Sequence, residues 1–171
     1  FGDHVIEGDV IKIDFDELPR CDVMLGGFPC QDFSMIWKRK GLGTERGNLY
    51  RHFVRAVSTK RPKVFVAENV KGLLTANKGE AINQIVKDFG DVGYRVQVHK
   101  VNFANYGAPQ LRERVLIIGT RNDIKKDFVM PDHTHDKRSY VGAKEALEGA
   151  EKAIFNNEHQ KITESTKEKL K

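Results

Sequence analysis

One cysteine, Cys30, closes the stretch GGFPC, just downstream of the apolar run VML at 23–25. The thiol therefore follows the carboxyl end of a predicted strand, which is where open α/β sheets bind their ligands. The two glycines permit a close backbone approach and the proline fixes one backbone angle, so this turn can direct the sulfur outward. Nucleophilic cysteines lie in partly exposed, electropositive surroundings. We predict that Cys30 is a nucleophile and that the chain's other cysteine, Cys21, is a small buried hydrophobe.

Charged residues lie at the end of one later strand and at the start of another, at the same predicted rim. Glu68 ends an apolar run within AENV, where a carboxyl group can act as a general acid or can simply be a surface acid. Arg112 and Arg114 are two residues apart in an extended segment and point to one side. Their forked donors suit a carbonyl oxygen, a carboxylate or a phosphate, although alone they could be a salt-bridged strand edge. Together with Cys30, these residues predict a catalytic site.

The elements that must position these residues alternate between β-rich and helix-like runs, the pattern of βαβ units. The sequence predicts strands at 21–25, 63–69, 94–103 and 114–121, and helices at 48–60, 80–89 and, more weakly, 144–155. Runs as apolar as RVLIIG suit a sheet that is covered on both faces. We expect an α/β fold with a mainly parallel, Rossmann-like sheet and helices on both faces. No glycine-rich phosphate loop of the GxGxxG or GxxxxGK[ST] kind occurs.

Composition narrows the class of protein. The chain has 171 residues, 39% hydrophobic and 31% charged, as expected of one globular domain. No apolar run approaches the roughly 20 residues that cross a bilayer, so we expect an intracellular protein, cytoplasmic in a bacterium or nuclear in a eukaryote. Lys and Arg outnumber Asp and Glu by 29 to 24, a balance that suits nucleic acid. Two cysteines and six histidines without ligand spacing predict that no metal is bound.

The ordered set of motifs resembles the DNA (cytosine-5) methyltransferases over residues 9 to about 121. The matching stretches are GGFPCQDFS (26–34) for the family's Pro-Cys motif, KGL (40–42) with RGNLY (46–50) for its mobile loop, ENV (68–70) for its glutamate motif, and QLRER (110–114) for its Gln-x-Arg-x-Arg motif.

The resemblance implies a role for each catalytic residue. The Cys30 thiolate would add to carbon 6 of a cytosine that is flipped out of the DNA duplex. Glu68 would hold the ring through N3 and the exocyclic amine. Arg114 would brace the base and the nucleophile, and Arg112 would orient Glu68. The methyl donor would be S-adenosylmethionine.

Binding residues are implied in the same way. Positions that would border the methyl donor are Asp9, Val10, Phe28, Pro29 and Leu49. Positions that would contact double-stranded DNA from the closing loop are Gln31, Ser34, Lys38, Arg39, Lys40 and Arg46.

The match is incomplete. The family's opening Phe-x-Gly-x-Gly turn and its acidic ribose residue are not found, so residues 1–130 are expected to be a partial catalytic domain with an incomplete methyltransferase sheet. The polar segment 131–171 is expected to be an arm or linker toward a target-recognition domain. A sheet without its central strand has unpaired edges, which readily pair with another chain. We therefore expect either a second chain that supplies the missing motifs or a truncated protein that binds the donor and DNA poorly.

Three alternatives remain open. An RNA cytosine-5 methyltransferase would share the mechanism. A catalytically silent fragment could use its basic surface to bind nucleic acid or to complete another subunit. A redox thiol protein would need Cys21 near Cys30, but Cys21 is nine residues away in the sequence. It starts the predicted strand, roughly 13 Å from the strand's other end at about 3.3 Å per residue, which is too far for a disulfide without rearrangement.

Overall fold

A computed structural model describes residues 5–29 and 49–149 of the chain. The strands are β1 (Val23–Gly27), β2 (Val64–Val70), β3 (Tyr94–Asn102) and β4 (Glu113–Arg121); the helices are α1 (Leu49–Lys60), α2 (Glu80–Asp91) and the short α3 (Ala143–Ala146), with 3₁₀ turns at Lys71–Leu74, Ala76–Gly79 and Phe103–Tyr106. All four strands and both long helices occur within a few residues of their predicted positions. The helix predicted at 144–155 begins at Ala143, and its later part lies outside the described residues. None of the helices described is long and apolar enough to cross a membrane.

The four strands form one sheet in the order β1-β2-β4-β3. β1 and β2 are parallel, whereas β4 runs antiparallel to both β2 and β3. The prediction of a mainly parallel sheet is therefore wrong, since two of the three pairings are antiparallel. The reason lies in the connection 103–112, which holds only one 3₁₀ turn. A parallel connection needs a dozen or more residues, usually with a helix, so β4 returns antiparallel and lies between β2 and β3.

The main core lies between the sheet and both long helices. Phe65 of β2 packs against Phe53 of α1 and Phe89 of α2, with ring centroids 6.0 and 4.2 Å away. Burial of a phenylalanine side chain contributes about 1.5–3 kcal/mol. The ring of Phe65 also covers its register partner Gly119, where a Cβ atom would lie 1.9 Å from the ring. A glycine is therefore required at this position of β4.

The opposite face of β1 is exposed. Val23 is 55% and Leu25 74% exposed, while Met24 points to the helical side and packs against the core. The prediction of a fully buried first strand is therefore wrong for this face, because nothing in the described part of the chain covers it. Both long helices lie on the other face, and β1 pairs only with β2 among the described strands. Cys21, predicted to be buried at the start of this strand, precedes β1 and is half-buried.

Candidate active site

The glutamate and one arginine of the predicted site form an ion pair. Arg114 Nε donates a hydrogen bond of 2.7 Å to Glu68 Oε1, and its Nη1 donates to the Glu113 carbonyl oxygen at 2.8 Å. The two side chains share a sheet face because Glu68 pairs with Leu116, two residues beyond Arg114. The side chain of Arg114 is 19% exposed and that of Glu68 is 38% exposed. The carboxylate is thus held in place while part of it remains accessible.

The second arginine of the predicted site, Arg112, lies farther from Glu68 than Arg114 does. Arg112 Nη2 lies 3.6 Å from the same Glu68 oxygen, which is within ion-pair range but longer than a good hydrogen bond. The resemblance gave the orienting role to Arg112. In the structure the hydrogen bond that orients Glu68 comes from Arg114, and Arg112 contributes charge from a greater distance.

The other carboxylate oxygen faces the glycine turn. Gly27 is the register partner of Glu68 across the parallel pair, and a Cβ at Gly27 would lie 3.9 Å from Glu68 Oε2. Gly27 leads through Phe28 and Pro29 to Cys30 in the sequence. Several predicted site residues lie outside the described residues, namely Cys30 and the DNA-contact candidates Gln31, Ser34, Lys38, Arg39, Lys40 and Arg46.

A buried amide links the two strands at this rim. Asn69 is 3% exposed; its Nδ2 donates to the Phe28 carbonyl oxygen at 2.8 Å, and its Oδ1 accepts from Val70 N at 2.9 Å. Sequence reasoning placed Asn69 inside a motif but gave it no role. The available signal was its polarity within an otherwise apolar strand, because a buried polar side chain requires partners.

An apolar cleft of about 520 Å³ opens beside the glycine turn. Four of the five predicted cofactor residues line it: Val10, Phe28, Pro29 and Leu49. Asp9 is exposed and does not line the cleft, and its carboxylate accepts a hydrogen bond from Ile11 N at 3.0 Å. The arrangement can enclose a flat apolar group such as a nucleobase.

Arg55 of α1 holds the segment that forms one wall of this cleft. Its Nη2 donates to the carbonyl oxygens of Val10 and Ile13 at 3.1 and 3.2 Å. Its guanidinium also lies 4.9 Å from the Phe15 ring centroid, a cation–π contact. No feature of the sequence indicated this role, because Arg55 lies on a helix far along the chain from the segment that it holds.

A second cavity, of about 790 Å³, is lined by Arg112 and Arg114, the two arginines that face Glu68. Its charged lining includes Lys71, Arg112, Glu113 and Lys137. Glu113 accepts from Lys71 at 2.5 Å and from Lys100 at 2.7 Å. The hydrogen bond from Lys100, followed by that from Lys71, lowers the pKa of Glu113 to about 2. The Glu113 carboxylate is therefore held by ion pairs with these two lysines.

The described part of the chain contains no set of side chains arranged to bind a metal ion. Within residues 5–29 and 49–149, no cluster of three or more His, Cys, Asp or Glu side chains is placed to hold a metal ion.

Comparison with known proteins places this chain in a family. The family model for the C-5 cytosine-specific DNA methylase matches residues 1–171. A type II methyltransferase of Neisseria gonorrhoeae, M.NgoFVII, is 52% identical over 99% of this chain and 47% of its own length. The type II methyltransferase M.BsuRI of Bacillus subtilis is 45% identical over 81% of this chain and 32% of its own length.

A solved structure agrees. A prophage-encoded E. coli protein, described as a candidate DNA modification methyltransferase, matches with a TM-score of 0.62 and 30% identity, over 82% of this chain and 40% of that one. The chain thus spans less than half the length of these relatives. From the family match and the 52% identity, the chain belongs to the C-5 cytosine-specific DNA methylases.

Proposed function

We propose that these residues are the central part of the catalytic domain of a DNA (cytosine-5) methyltransferase, with residues 1–130 in that domain and 131–171 leading toward a target-recognition domain. The observation that supports the proposal best is the Glu68–Arg114 pair. Its carboxylate is fixed on one side by Arg114 at 2.7 Å and faces, on the other, the glycine turn that leads to Cys30. Because the chain belongs to the C-5 cytosine-specific DNA methylases, we assign this carboxylate to the binding of the cytosine ring.

In the proposed reaction Cys30 begins the chemistry. Its thiolate forms a bond to carbon 6 of the cytosine, and the electron pair that this releases makes carbon 5 nucleophilic. Glu68 holds N3 and the exocyclic amine and offsets the negative charge that develops on the ring. Carbon 5 then takes the methyl group, a base or water removes the proton from carbon 5, and the bond to sulfur breaks. The cysteine is regenerated as a thiolate.

S-adenosylmethionine, when bound, supplies the methyl group. The residues present fit such a donor, because the cleft next to the glycine turn is apolar and has the aromatic ring of Phe28 and the ring of Pro29 in its wall. Val10 and Leu49, which also line the cleft, would contact the donor. Asp9, next to Val10, accepts from Ile11 N through Oδ1 and would accept from the adenine amine through its other carboxylate oxygen.

Double-stranded DNA is the proposed substrate. The basic balance of the sequence supports a polyanionic partner, and the loop residues Gln31, Ser34, Lys38 to Lys40 and Arg46 would contact its backbone. The names of the type II relatives support a place in a restriction-modification system.

A second chain is a further proposed partner. The exposed side chains of Val23 and Leu25, beside an edge of β1 that pairs with no strand among those described, support it. Unpaired strand edges pair readily with other polypeptide. We expect the isolated 171-residue chain to bind the donor weakly. Tight one-to-one binding of S-adenosylmethionine by a monomer, measured by calorimetry with analytical ultracentrifugation, would contradict this part of the proposal.

The test of the function is methylation in cells. We expect bisulfite sequencing of plasmid DNA from cells that express this chain together with the polypeptide that supplies the missing motifs to show 5-methylcytosine at one short sequence. Cys30→Ser and Glu68→Gln should abolish or strongly reduce the mark. In the presence of S-adenosylmethionine, the purified protein should form a covalent adduct with DNA that carries 5-fluorocytosine at that site. Cys21→Ser is the matched control and should behave as wild type. Methyl transfer to tRNA and not to DNA would favour the RNA enzyme, and transfer to neither would overturn the proposal.

A further inference from the structure

The segment that follows β4 returns to the catalytic rim and is fastened there. Thr134 N and His135 N both donate to the Asn105 carbonyl oxygen at 3.0 Å. Tyr140 OH donates to Asn105 Oδ1 at 2.6 Å, and Tyr106 OH donates to the Pro131 carbonyl oxygen at 3.1 Å. We call residues 130–140 the docked arm. It is held by specific hydrogen bonds to the 3₁₀ turn between β3 and β4.

The tip of the docked arm is itself a well-defined turn. Asp136 Oδ1 accepts hydrogen bonds from Arg138 N at 2.8 Å and from Ser139 N at 3.2 Å, and Ser139 N also donates to the Asp136 carbonyl oxygen at 3.0 Å. A side-chain acceptor that bonds the backbone two residues ahead is a common way to fix a turn. Lys137 lies within this turn and lines the same cavity as Arg112 and Arg114.

Lys137 differs from the other cations of that cavity in having no carboxylate partner. Arg114 and Arg112 face Glu68, and Lys71 faces Glu113. The exposed ammonium of Lys137 makes no hydrogen bond or ion pair with any other residue that the structure describes. Its charge is therefore available to a ligand at the mouth of the cavity.

We propose that Lys137 binds a backbone phosphate next to the extruded cytosine, so that the docked arm is part of the DNA-binding surface. The inference rests on the function proposed above. A base that is flipped into a pocket remains joined to its sugar and to two phosphates, which stay at the pocket mouth. A fixed cation at that mouth meets a phosphodiester oxygen, and such contacts set the position of the protein on DNA without reading its sequence.

The test uses the salt dependence of DNA binding. The purified protein is titrated with a duplex that carries the methylated site found by bisulfite sequencing, at several salt concentrations. Loss of one phosphate contact reduces the slope of log K against log salt by about one and weakens binding roughly five- to tenfold at 0.1 M salt. We expect this change for Lys137→Gln and a near wild-type slope for Lys137→Arg.

The neighbouring residue provides a matched control. Arg138 is exposed and carries the same charge, but it does not line the cavity. Arg138→Gln should change affinity by less than twofold, and thermal unfolding should be equal for all three variants and wild type. The proposed phosphate contact is overturned if Lys137→Gln binds DNA as wild type does, or if Arg138→Gln loses as much affinity as Lys137→Gln. In either case, methylation by the wild-type protein would still support the proposed function. Wild-type protein that neither methylates nor forms the 5-fluorocytosine adduct overturns both.

Discussion

The side-chain amide of Asn69 donates a 2.8 Å hydrogen bond to the backbone carbonyl of Phe28, across 41 positions of the sequence. The same side chain accepts from Val70 N and is almost fully buried. One residue therefore satisfies two backbone groups where β2 ends and where the chain leaves β1 toward Cys30. The bond fixes the glycine turn relative to Glu68, which immediately precedes Asn69.

Loss of this amide should affect both stability and chemistry. Asn69→Ala removes the hydrogen bond to the buried Phe28 carbonyl oxygen and the hydrogen bond from the part-buried Val70 N–H. Loss of a partner costs about 1–3 kcal/mol for a buried group and less for a part-buried one. We expect chemical denaturation to show a loss of about 2 kcal/mol and the rate of 5-fluorocytosine adduct formation to fall, because the turn before Cys30 is no longer fixed. Asn83→Ala, at an exposed position of α2, is the control. A variant at Asn69 that forms the adduct at the wild-type rate would show that the bond is merely structural.

The two arginines can be separated by conservative substitution. Arg114→Lys keeps the charge but loses the Nε hydrogen that binds Glu68 at 2.7 Å, whereas Arg112 is 3.6 Å away and makes no such bond. We expect Arg114→Lys to reduce kcat at least tenfold and Arg112→Lys to have a smaller effect. Stability should change by less than about 1 kcal/mol in both, because the ion pair is partly exposed. The opposite order of kcat values would give the orienting role to Arg112, as the sequence resemblance implied.

The elements were predictable from the sequence because their causes are local. Apolar β-branched runs formed the strands, and the spacing of apolar residues such as Phe53 and Val57 gave α1 its buried face. The direction of β4 did not follow from its own residues. It depended on the connection 103–112, which holds no crossover helix. Glu68 and Arg114 were found by motif, but the contacts of Asn69 and the docking of Lys137 join distant parts of the chain, so spacing could not reveal them.

The two lysine partners of Glu113 should make the stability of the protein depend on pH in the acid range. Hydrogen bonds from Lys100 and Lys71 lower its pKa to about 2, below the value of about 4.3 in an unfolded chain. A lowered folded-state pKa contributes stability above the unfolded pKa, and this contribution is lost as pH falls toward 2. Between about pH 4.5 and 2, wild-type stability should therefore fall more steeply than that of Glu113→Gln in urea titrations.

The control for this acid response is a carboxylate without such partners. Glu17 is exposed and forms no ion pair with another described residue, so Glu17→Gln should retain the wild-type slope. Between pH 5 and 7 all three proteins should show parallel profiles, since Glu113 is ionised in both the folded and unfolded chain. Equal slopes for Glu113→Gln and wild type below pH 4.5 would show that the two lysines do not hold the carboxylate in solution.

Two adjacent glycines at the end of β1, Gly26 and Gly27, should respond differently to an added methyl group, one in stability and the other in activity. A Cβ at Gly26 would lie 2.4 Å from the Phe53 ring, so Gly26→Ala overpacks the core and should lower the free energy of unfolding by about 1–3 kcal/mol. A Cβ at Gly27 would lie at ordinary contact distance, 3.9 Å from Glu68 Oε2. Gly27→Ala should therefore fold with wild-type stability but slow adduct formation, since its methyl group faces the carboxylate that holds the base. Thermal unfolding and 5-fluorocytosine trapping of the two variants separate these effects. A fully stable Gly26→Ala, or a fully active Gly27→Ala, would mean that the two faces of β1 are not arranged as described.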